Sequence, residues 1–201
     1  DIASRVNDKI ELIKMQYVDD VQNASEQAGE GVFDLIERFK QYPEVGVPLY
    51  GPLINTVTRG ARLKKFYLRS AATGIGKTRS MIADACYIAC SHIYDEALGW
   101  IGTGACNPTL FITTEQELEE IQTMMLAFLS NVNEEHILNG KYEGDEEDRV
   151  LKAAEILSNA PLYVEELPDF NLQDIENTIK RNIRDHGVLY VFNPIERVLG
   201  Q

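Results

Sequence analysis

The 201-residue sequence has little of several features that mark particular classes of protein. Its three cysteines are an odd number without the paired spacing of zinc sites, which indicates reduced thiols and a cytoplasmic protein. No apolar run approaches the roughly 20 residues that a membrane-spanning helix needs, so we expect no membrane contact. The first residues, "DIASRVNDKIELIK", carry charges every few positions and therefore do not form a signal peptide.

Positive charge is also scarce, with 19 lysines and arginines against 32 acidic residues. The net charge of −13 argues against a basic surface for nucleic acid. The acidic residues are distributed unevenly, however, because residues 134–148 hold seven acidic side chains and one lysine. This segment is expected to be solvated. A small basic cluster is expected to be a solvated face, with a subunit or nucleic-acid contact as the alternative. Its members are Arg59, Arg62, Lys64 and Lys65.

Four short runs of β-prone residues alternate with helical patterns along most of the chain. The runs are "FYLRS" (66–70), "TLFIT" (109–113), "LYVEE" (162–166) and "VLYVF" (188–192). Strands that alternate with helices predict a parallel sheet in an α/β fold. The last run is apolar throughout, which predicts a strand buried on both faces.

Three helices are expected between these runs. The first extends from about Lys77 to Tyr94, and the second covers "EQELEEIQTMMLAFLSN". The third covers "NLQDIENTIKRNIRDHG", where Asn171 can cap the start and Gly187 can end the helix.

The N-terminal part has a different pattern. Apolar residues at spacings of three and four predict one long helix, which "QNASEQAGEG" then ends. The stripe consists of Val6, Ile10, Ile13, Tyr17 and Val21. We expect residues 1–25 to form a linker helix, which docks on its own core or on a neighbouring subunit, and residues 26–201 to form the main domain.

The segment "LRSAATGIGKTR" (68–79) predicts a phosphate-binding loop, although Ala71 stands where G-x-x-x-x-G-K-[ST] has its first glycine. A strand before the loop and a helix after it would aim backbone N–H groups at phosphate oxygens. Lys77 would reach the β- and γ-phosphates, and the Thr78 hydroxyl would bind Mg²⁺. The alternative is an ordinary turn that contains glycine. The expected nucleotide contacts are Ala72, Thr73, Gly74, Ile75, Gly76, Lys77, Thr78 and Arg79.

With its alanine at position 71 and its Gly-x-Gly-Lys-Thr ending, the loop resembles that of the DnaB-type replicative DNA helicases. The stretches around it, "GVPLYGPLINTVTRGARLKKFYLRS", "PTLFITTEQELEEIQTMM" and "LSNAPLYVEELPDFNLQDIENTIKRNIRDHGVLYVF", are similar to the same family. The resemblance covers residues 45–192 and is strongest to helicases of phages and mobile elements. It implies a RecA-like P-loop NTPase core with a parallel sheet between helices.

Glu115 follows the second predicted strand at the carboxyl edge of the sheet, where ligands bind in open α/β folds. In the family, the glutamate at this place polarises the water that attacks the γ-phosphate. The resemblance therefore implies a catalytic Glu115 acting with Lys77. The alternative is that Glu115 only interacts with the dipole at the start of the helix. A capping box of Thr114 and Glu117 is expected beside it.

The resemblance further implies ATP hydrolysis with Mg²⁺, coupled to movement on single-stranded DNA and to duplex unwinding. It implies a homo-hexamer, with a helicase loader or a primase as possible partners. Two other functions remain open. One is another RecA-fold ATPase, of the recombinase or clock type, and the other is a non-catalytic module for nucleotide binding or oligomer contacts.

The chain departs from the family after Phe192. The strand that should end in a metal-holding aspartate is followed by Asn193 and Pro194, and the sequence stops at Gln201. Three explanations stay open: a truncated chain, a naturally short reading frame with a degenerate site, or a gap before "NPIERVLGQ". A chain that ended there would leave a sheet edge exposed.

Overall fold

The structure of the protein is a computed structural model that describes residues 27–72, 74–104 and 106–194. The chain divides into two compact units, Asp1–Glu44 and Val45–Gln201. The linker helix expected over residues 1–25 lies outside the described residues, so it stays a prediction.

The described part of the first unit contains one helix, α1 (Val32–Gln41). Gly31 precedes the helix with a φ of 69°, a conformation that glycine adopts without strain. Asp34 lies in the first turn, and Arg38 and Lys40 lie in the last, where each charge interacts favourably with the helix dipole. No residue of α1 is buried.

The second unit contains six helices and five strands within its described residues. In chain order they are α2 (Pro52–Thr58), α3 (Lys77–Ala89), β1 (His92–Asp95), β2 (Gly99–Gly102), β3 (Thr109–Thr113), α4 (Leu118–Ser130), α5 (Glu134–Asn139), α6 (Glu146–Ser158), β4 (Leu162–Glu166), α7 (Leu172–His186) and β5 (Tyr190–Phe192). None of the described helices has the length and apolar content required to cross a bilayer.

The central sheet is parallel, with the strand order β4-β3-β5. Phe111 in the middle strand lies opposite Val164 on one side and Phe192 on the other. Every residue of β3 is buried, which is expected of a strand covered on both faces. The predicted parallel sheet of an α/β fold is confirmed.

Helices cover both faces of this sheet. Phe111 packs in one cluster with Ile82 of α3 and Ile121 of α4. Leu110 and Ile112 face the other way and pack with Val188 and with Ile175 and Ile179 of α7. The alternation of side chains along β3 therefore determines which helix covers which face.

Several predicted elements are confirmed in detail. Strands β3 and β4 have the predicted bounds, and α7 begins after Asn171. The Asn171 side chain accepts the Asp174 N–H, and the Asp174 carboxylate accepts the Asn171 N–H, which completes a capping box. Gly187 ends α7 with a φ of 64°.

The strand predicted over residues 66–70 is not formed, and this prediction was wrong. Phe66 and Leu68 are 89% and 84% exposed, and no backbone hydrogen bond joins residues 66–70 to another described strand. Leu49 and Ala61, together with Ile88, pack against Tyr190 and Phe192 of β5 instead. Strand propensity alone did not form a ladder here, because a strand needs a hydrogen-bonded neighbour.

The last strand is shorter and less buried than "VLYVF" predicted. It begins at Tyr190, and Leu189 and Val191 remain 49% and 37% exposed. Only one side of β5 is paired among the described strands, which explains why its side chains are less buried than those of β3.

The first predicted helix is also shorter than expected, because α3 ends at Ala89 and not near Tyr94. A β-hairpin of β1 and β2 follows, with Tyr94 directly opposite Trp100. The Asp95 carboxylate accepts the N–H groups of Ala97 and Leu98, and Gly99 turns with a φ of 72°. The signal for this hairpin was present as an Asp and a Gly flanking a short loop between β-prone residues.

Candidate functional site

The loop that precedes α3 has the backbone geometry of a phosphate cradle. Gly74 and Gly76 have φ values of 82° and 89°, which side chains rarely tolerate. An added Cβ at either glycine would meet no atom within 4 Å, so the conformation and not the space requires glycine. The N–H of Ile75 donates to the carbonyl oxygen of Ala72 at 3.4 Å.

The N-terminus of α3 has no cap from a described side chain. The first backbone bond of the helix runs from the Ser80 N–H to the Gly76 carbonyl at 2.9 Å. The N–H groups of the preceding first turn have no partner within the helix, and they form the positive end of its dipole. This end of α3 therefore suits an anion.

The same end of α3 lies at the carboxyl end of β3. The Asn107 N–H donates to the Ile88 carbonyl at 2.9 Å, so the last turn of α3 lies beside the start of β3. The 13-residue helix is about 20 Å long, and the five-residue strand is about 16 Å long. Because Ile82, near the start of α3, also packs in one cluster with Phe111, α3 runs antiparallel to β3. Its N-terminus therefore lies at the carboxyl end of the strand.

Glu115 is exposed in the short loop between β3 and α4, at this carboxyl edge. The Thr113 hydroxyl donates to the Gln116 carbonyl at 2.9 Å and accepts the Gln116 N–H at 3.2 Å. These two bonds close the loop at its base. A recess of about 70 Å³ lies there, lined by Thr113, Thr114, Glu115, Gln116, Glu117, Glu166 and Pro168.

The capping box predicted for Thr114 and Glu117 is not formed, and this prediction was wrong. Glu117 itself is the N-cap of α4, and its side chain makes no capping bond. The Leu118 N–H instead donates to Glu166 Oε1 at 2.6 Å, from the end of the neighbouring strand β4. Three-residue spacing could not reveal a cap supplied by another strand. The available signal was that Glu166 ends β4, in register with Thr113.

The other predicted nucleotide contacts have varied surroundings. Lys77 and Thr78 are half-buried, Ala72 is exposed, and Ile75 is 72% exposed. Thr73 lies outside the described residues. The Arg79 guanidinium pairs with Glu134 at the rim of a cavity of about 480 Å³ between α3 and α4. Arg79 is therefore suited to contact a nucleotide through its backbone N–H and not through its side chain.

Asn193 follows β5 at the place where the family resemblance implies an aspartate. Its Oδ1 atom is buried and has no hydrogen-bond donor in the described part of the chain. A neutral amide oxygen can accept a hydrogen bond from a ligand or from bound water, but it lacks the charge of a carboxylate.

No group of three His, Cys, Asp or Glu side chains is arranged around a metal position within residues 27–194 as described. A Mg²⁺ ion at the loop would therefore depend on the Thr78 hydroxyl, nucleotide phosphates and water, which is how proteins commonly hold this ion.

Comparisons with known proteins identify the family and the fold. Residues 46–193 match the model of the DnaB-like helicase C terminal domain. The SPbeta prophage-derived uncharacterized protein YorI of Bacillus subtilis (strain 168) is 40% identical over 185 residues. The match covers 92% of this chain and 37% of YorI, so the chain spans little more than a third of this relative's length.

Two solved structures share the fold. One, described as an ATPase domain, superposes with a TM-score of 0.64 at 14% identity, over 88% of this chain and 62% of that chain. The other is a DnaB-like replicative helicase described with its interactions with primase. It superposes with a TM-score of 0.65 at 13% identity, over 100% of this chain and 49% of that chain. They confirm the predicted RecA-like fold. With the family match, the chain belongs to the DnaB-like helicase C-terminal domain family.

Proposed function

We propose that this chain is the ATP-driven motor of a phage-type replicative helicase, in which ATP hydrolysis drives movement on single-stranded DNA and duplex unwinding. The observation that carries the proposal is the uncapped N-terminus of α3, entered through two glycines of positive φ, at the edge of the sheet where Glu115 lies. Backbone N–H groups and a carboxylate at one edge are the parts that phosphoryl transfer to water requires.

Each part of the loop has a distinct role in this mechanism. Backbone N–H groups from Ala72 to Arg79 would bind the phosphate oxygens, and the Ile75 N–H would exchange its 3.4 Å bond to the Ala72 carbonyl for one to phosphate. The Lys77 ammonium would compensate the charge of the β- and γ-phosphates. The Thr78 hydroxyl would hold a Mg²⁺ ion, which would neutralise charge on the phosphates. Open space beside Gly74 and Gly76 leaves room for phosphate close to the backbone.

Glu115 acts on the attacking water. Its exposed carboxylate can orient a water molecule and accept its proton, which is the role of a general base. The loop that carries it is closed by Thr113 and joined to β4 through Glu166, so the backbone at Glu115 is held on both sides. A fixed carboxylate loses less entropy when it aligns the water.

At the level of the assembly, we propose a homo-hexamer that acts on single-stranded DNA. A helicase loader or a primase is a proposed partner, since the structural neighbour with primase has the same fold. The net charge of −13 implies that this chain by itself binds single-stranded DNA weakly.

Nucleotide binding by the wild-type chain and by Lys77→Ala tests the proposal. Isothermal titration calorimetry with ATP and Mg²⁺ should show binding to the wild type. The Lys77→Ala affinity should be lower by roughly 10–100-fold, because a charge-assisted contact is worth about 1.5–3 kcal/mol. Lys180→Ala, on the exposed face of α7, is the control and should bind as the wild type does. Equal affinity of Lys77→Ala and wild type would contradict the proposal.

A second candidate function rests on Asn193. Because this amide cannot supply the charge of an aspartate, the chain could bind nucleotide without turning it over and serve as a module for oligomer contacts. Nucleotide binding without phosphate release in the wild type, together with phosphate release in Asn193→Asp, would favour this function and its assignment to the missing charge. Phosphate release by the wild type would exclude it.

A further inference from the structure

The segment that enters the phosphate loop is held by side chains and not by a sheet ladder. Residues 66–71 make no backbone hydrogen bond to another described strand. The Tyr67 hydroxyl donates to the Gly60 carbonyl at 3.3 Å, outside the loop. The bonds that join this segment to α3 come from Arg69.

The Arg69 guanidinium reaches across the base of the loop to α3. Its Nη1 donates to Ser80 Oγ at 2.9 Å, and its Nη2 donates to Asp84 Oδ2 at 2.6 Å. Ser80 Oγ in turn donates to the Lys77 carbonyl at 2.8 Å. The residue that enters the loop is thereby joined to the first turn of the helix that leaves it.

Loss of this link would leave the buried Asp84 carboxylate without its charged partner and would destabilise the protein. The Asp84 side chain is 3% exposed, and its Oδ1 also accepts the Tyr50 N–H at 3.0 Å. A buried carboxylate is tolerated only where charged partners and hydrogen-bond donors satisfy it. Arg69 supplies the charge and one donor, and Tyr50 supplies the other.

We propose that Arg69 is a positioning residue that holds the two ends of the phosphate loop together through Ser80 and Asp84, and so sets the affinity for the phosphates of a nucleotide. This inference rests on the proposed function. Holding both ends reduces the conformational freedom that residues 70–76 lose when they close on phosphate. Since no described strand forms a ladder with the entering segment, the Arg69 side chain orders this segment in its place.

Nucleotide affinity and amide hydrogen exchange of Arg69→Met test the proposal. Arg69→Met keeps a long apolar side chain but removes all donors. The affinity for ATPγS with Mg²⁺ should fall about tenfold, because a less ordered loop pays more entropy on binding. Exchange over residues 70–78 should become faster. Arg69→Lys retains the charge and should lie between wild type and Arg69→Met in both measurements.

The control is Arg181→Met, which removes a more exposed ion pair, with side chains 51% and 29% exposed against 30% and 3% for Arg69 and Asp84. It breaks an ion pair of similar length, since Arg181 Nη2 lies 2.9 Å from Glu165 Oε1, on the opposite face of the sheet. It should leave the affinity and the exchange of the loop as in the wild type. An equal loss of affinity in Arg181→Met would show that ion pairs act through general stability, and it would overturn the positioning role.

Two further outcomes separate this inference from the proposed function. A wild type that binds no nucleotide rejects the proposed function itself. A wild type that binds, with Arg69→Met equal to it in affinity and in exchange, rejects only the role of Arg69. If Arg69→Met fails to fold, Ser80→Ala decides, because it removes one hydroxyl from the link: weaker binding supports the proposal and unchanged binding overturns it.

Discussion

Residues 109–113 and residues 66–70 look alike in sequence and differ in structure. Both are β-prone runs, and each leads into one half of the candidate site. The first forms β3, which is buried throughout and paired on both sides. The second exposes Phe66 and Leu68 and forms no strand. The comparison teaches that neighbouring strands, more than residue preference, decide whether such a run joins a sheet.

The two halves of the site are therefore anchored by different contacts. The Glu115 loop extends from a complete ladder and is closed by the Thr113 hydroxyl and by Glu166 from β4. The phosphate loop extends from the unpaired run and is joined to α3 through Arg69. Variants in one half should affect chemistry or stability, and variants in the other should affect nucleotide binding.

The largest effect is expected at Glu115. Glu115→Gln should leave ATP affinity near wild type, because the ground-state grip comes from backbone N–H groups, Lys77 and Mg²⁺. The hydrolysis rate should fall on the order of 10²–10⁴-fold, the range for a lost general base, which is roughly 3–5 kcal/mol of barrier. Phosphate release by the full protein, together with calorimetric affinity, measures both quantities.

Glu117→Gln is the control for that measurement. Glu117 is exposed two residues away, and its side chain makes no capping bond. It should change neither turnover nor stability. If Glu117→Gln abolished turnover while Glu115→Gln did not, the catalytic carboxylate would be assigned to the wrong position.

A pair of phenylalanine variants tests the comparison directly. Phe111→Ala in β3 should destabilise the protein by about 3–5 kcal/mol, since it removes a fully buried ring from the main core cluster. Phe66→Ala should change stability by less than about 0.5 kcal/mol, as for other exposed positions. Urea denaturation measures both. A large loss in Phe66→Ala would mean that residues 66–70 join the sheet in solution.

The cap supplied by Glu166 predicts a smaller effect. Glu166→Ala leaves the Leu118 N–H without its acceptor and should cost about 0.5–2 kcal/mol, the range for a lost helix cap. Glu166→Gln keeps an acceptor oxygen and should recover most of that loss. Chemical denaturation of both variants checks the prediction, and a Gln variant as unstable as the Ala variant would contradict it.

The smallest effect is expected far from both segments, at His136 and Glu146. The hydrogen bond that the His136 ring donates to the Glu146 carboxylate, at 2.8 Å, raises the pKa of His136 above its ordinary 6.5. The Glu143 N–H, followed by His136, lowers the pKa of Glu146 below its ordinary 4.5. The His136 contribution to stability is present below pH 6.5 and is lost as the pH rises through the raised pKa of His136. The Glu146 contribution to stability is present above pH 4.5 and is lost as the pH falls through the lowered pKa of Glu146.

The pair should therefore stabilise the protein most between pH 4.5 and 6.5. The melting temperature of the wild type should exceed that of His136→Gln most within this window, and the difference should shrink on either side of it. A difference that does not vary with pH would contradict a role for the charged pair.

Much of the fold was predictable because its signals are local. The bounds of β3 and β4, the cap at Asn171 and the stop at Gly187 follow from patterns read over a few residues. The hairpin of β1 and β2 carried a local signal as well, but the helical pattern before it masked that signal. The failed prediction at residues 66–70 concerned a contact between distant parts of the chain.

The candidate site shows the same division. The glycines at 74 and 76, Lys77 and Thr78 are recognisable from their spacing, and so is the placement of Glu115 after a strand. The roles of Glu166 and Arg69 were not recognisable, because each acts on a partner that is distant in sequence. Arg69 and Asp84 form an ion pair only once the segment before the loop lies against α3.

The sequence by itself therefore determined the α/β class and the order of most helices and strands, and it predicted the phosphate loop, because short-range periodicity and backbone preferences carry that information. The tertiary structure alone decided which β-prone run enters the sheet, since a run becomes a strand only where a neighbouring strand bonds to it. It also decided what holds the two loops of the site, because a hydrogen bond between distant residues exists only after the chain has packed.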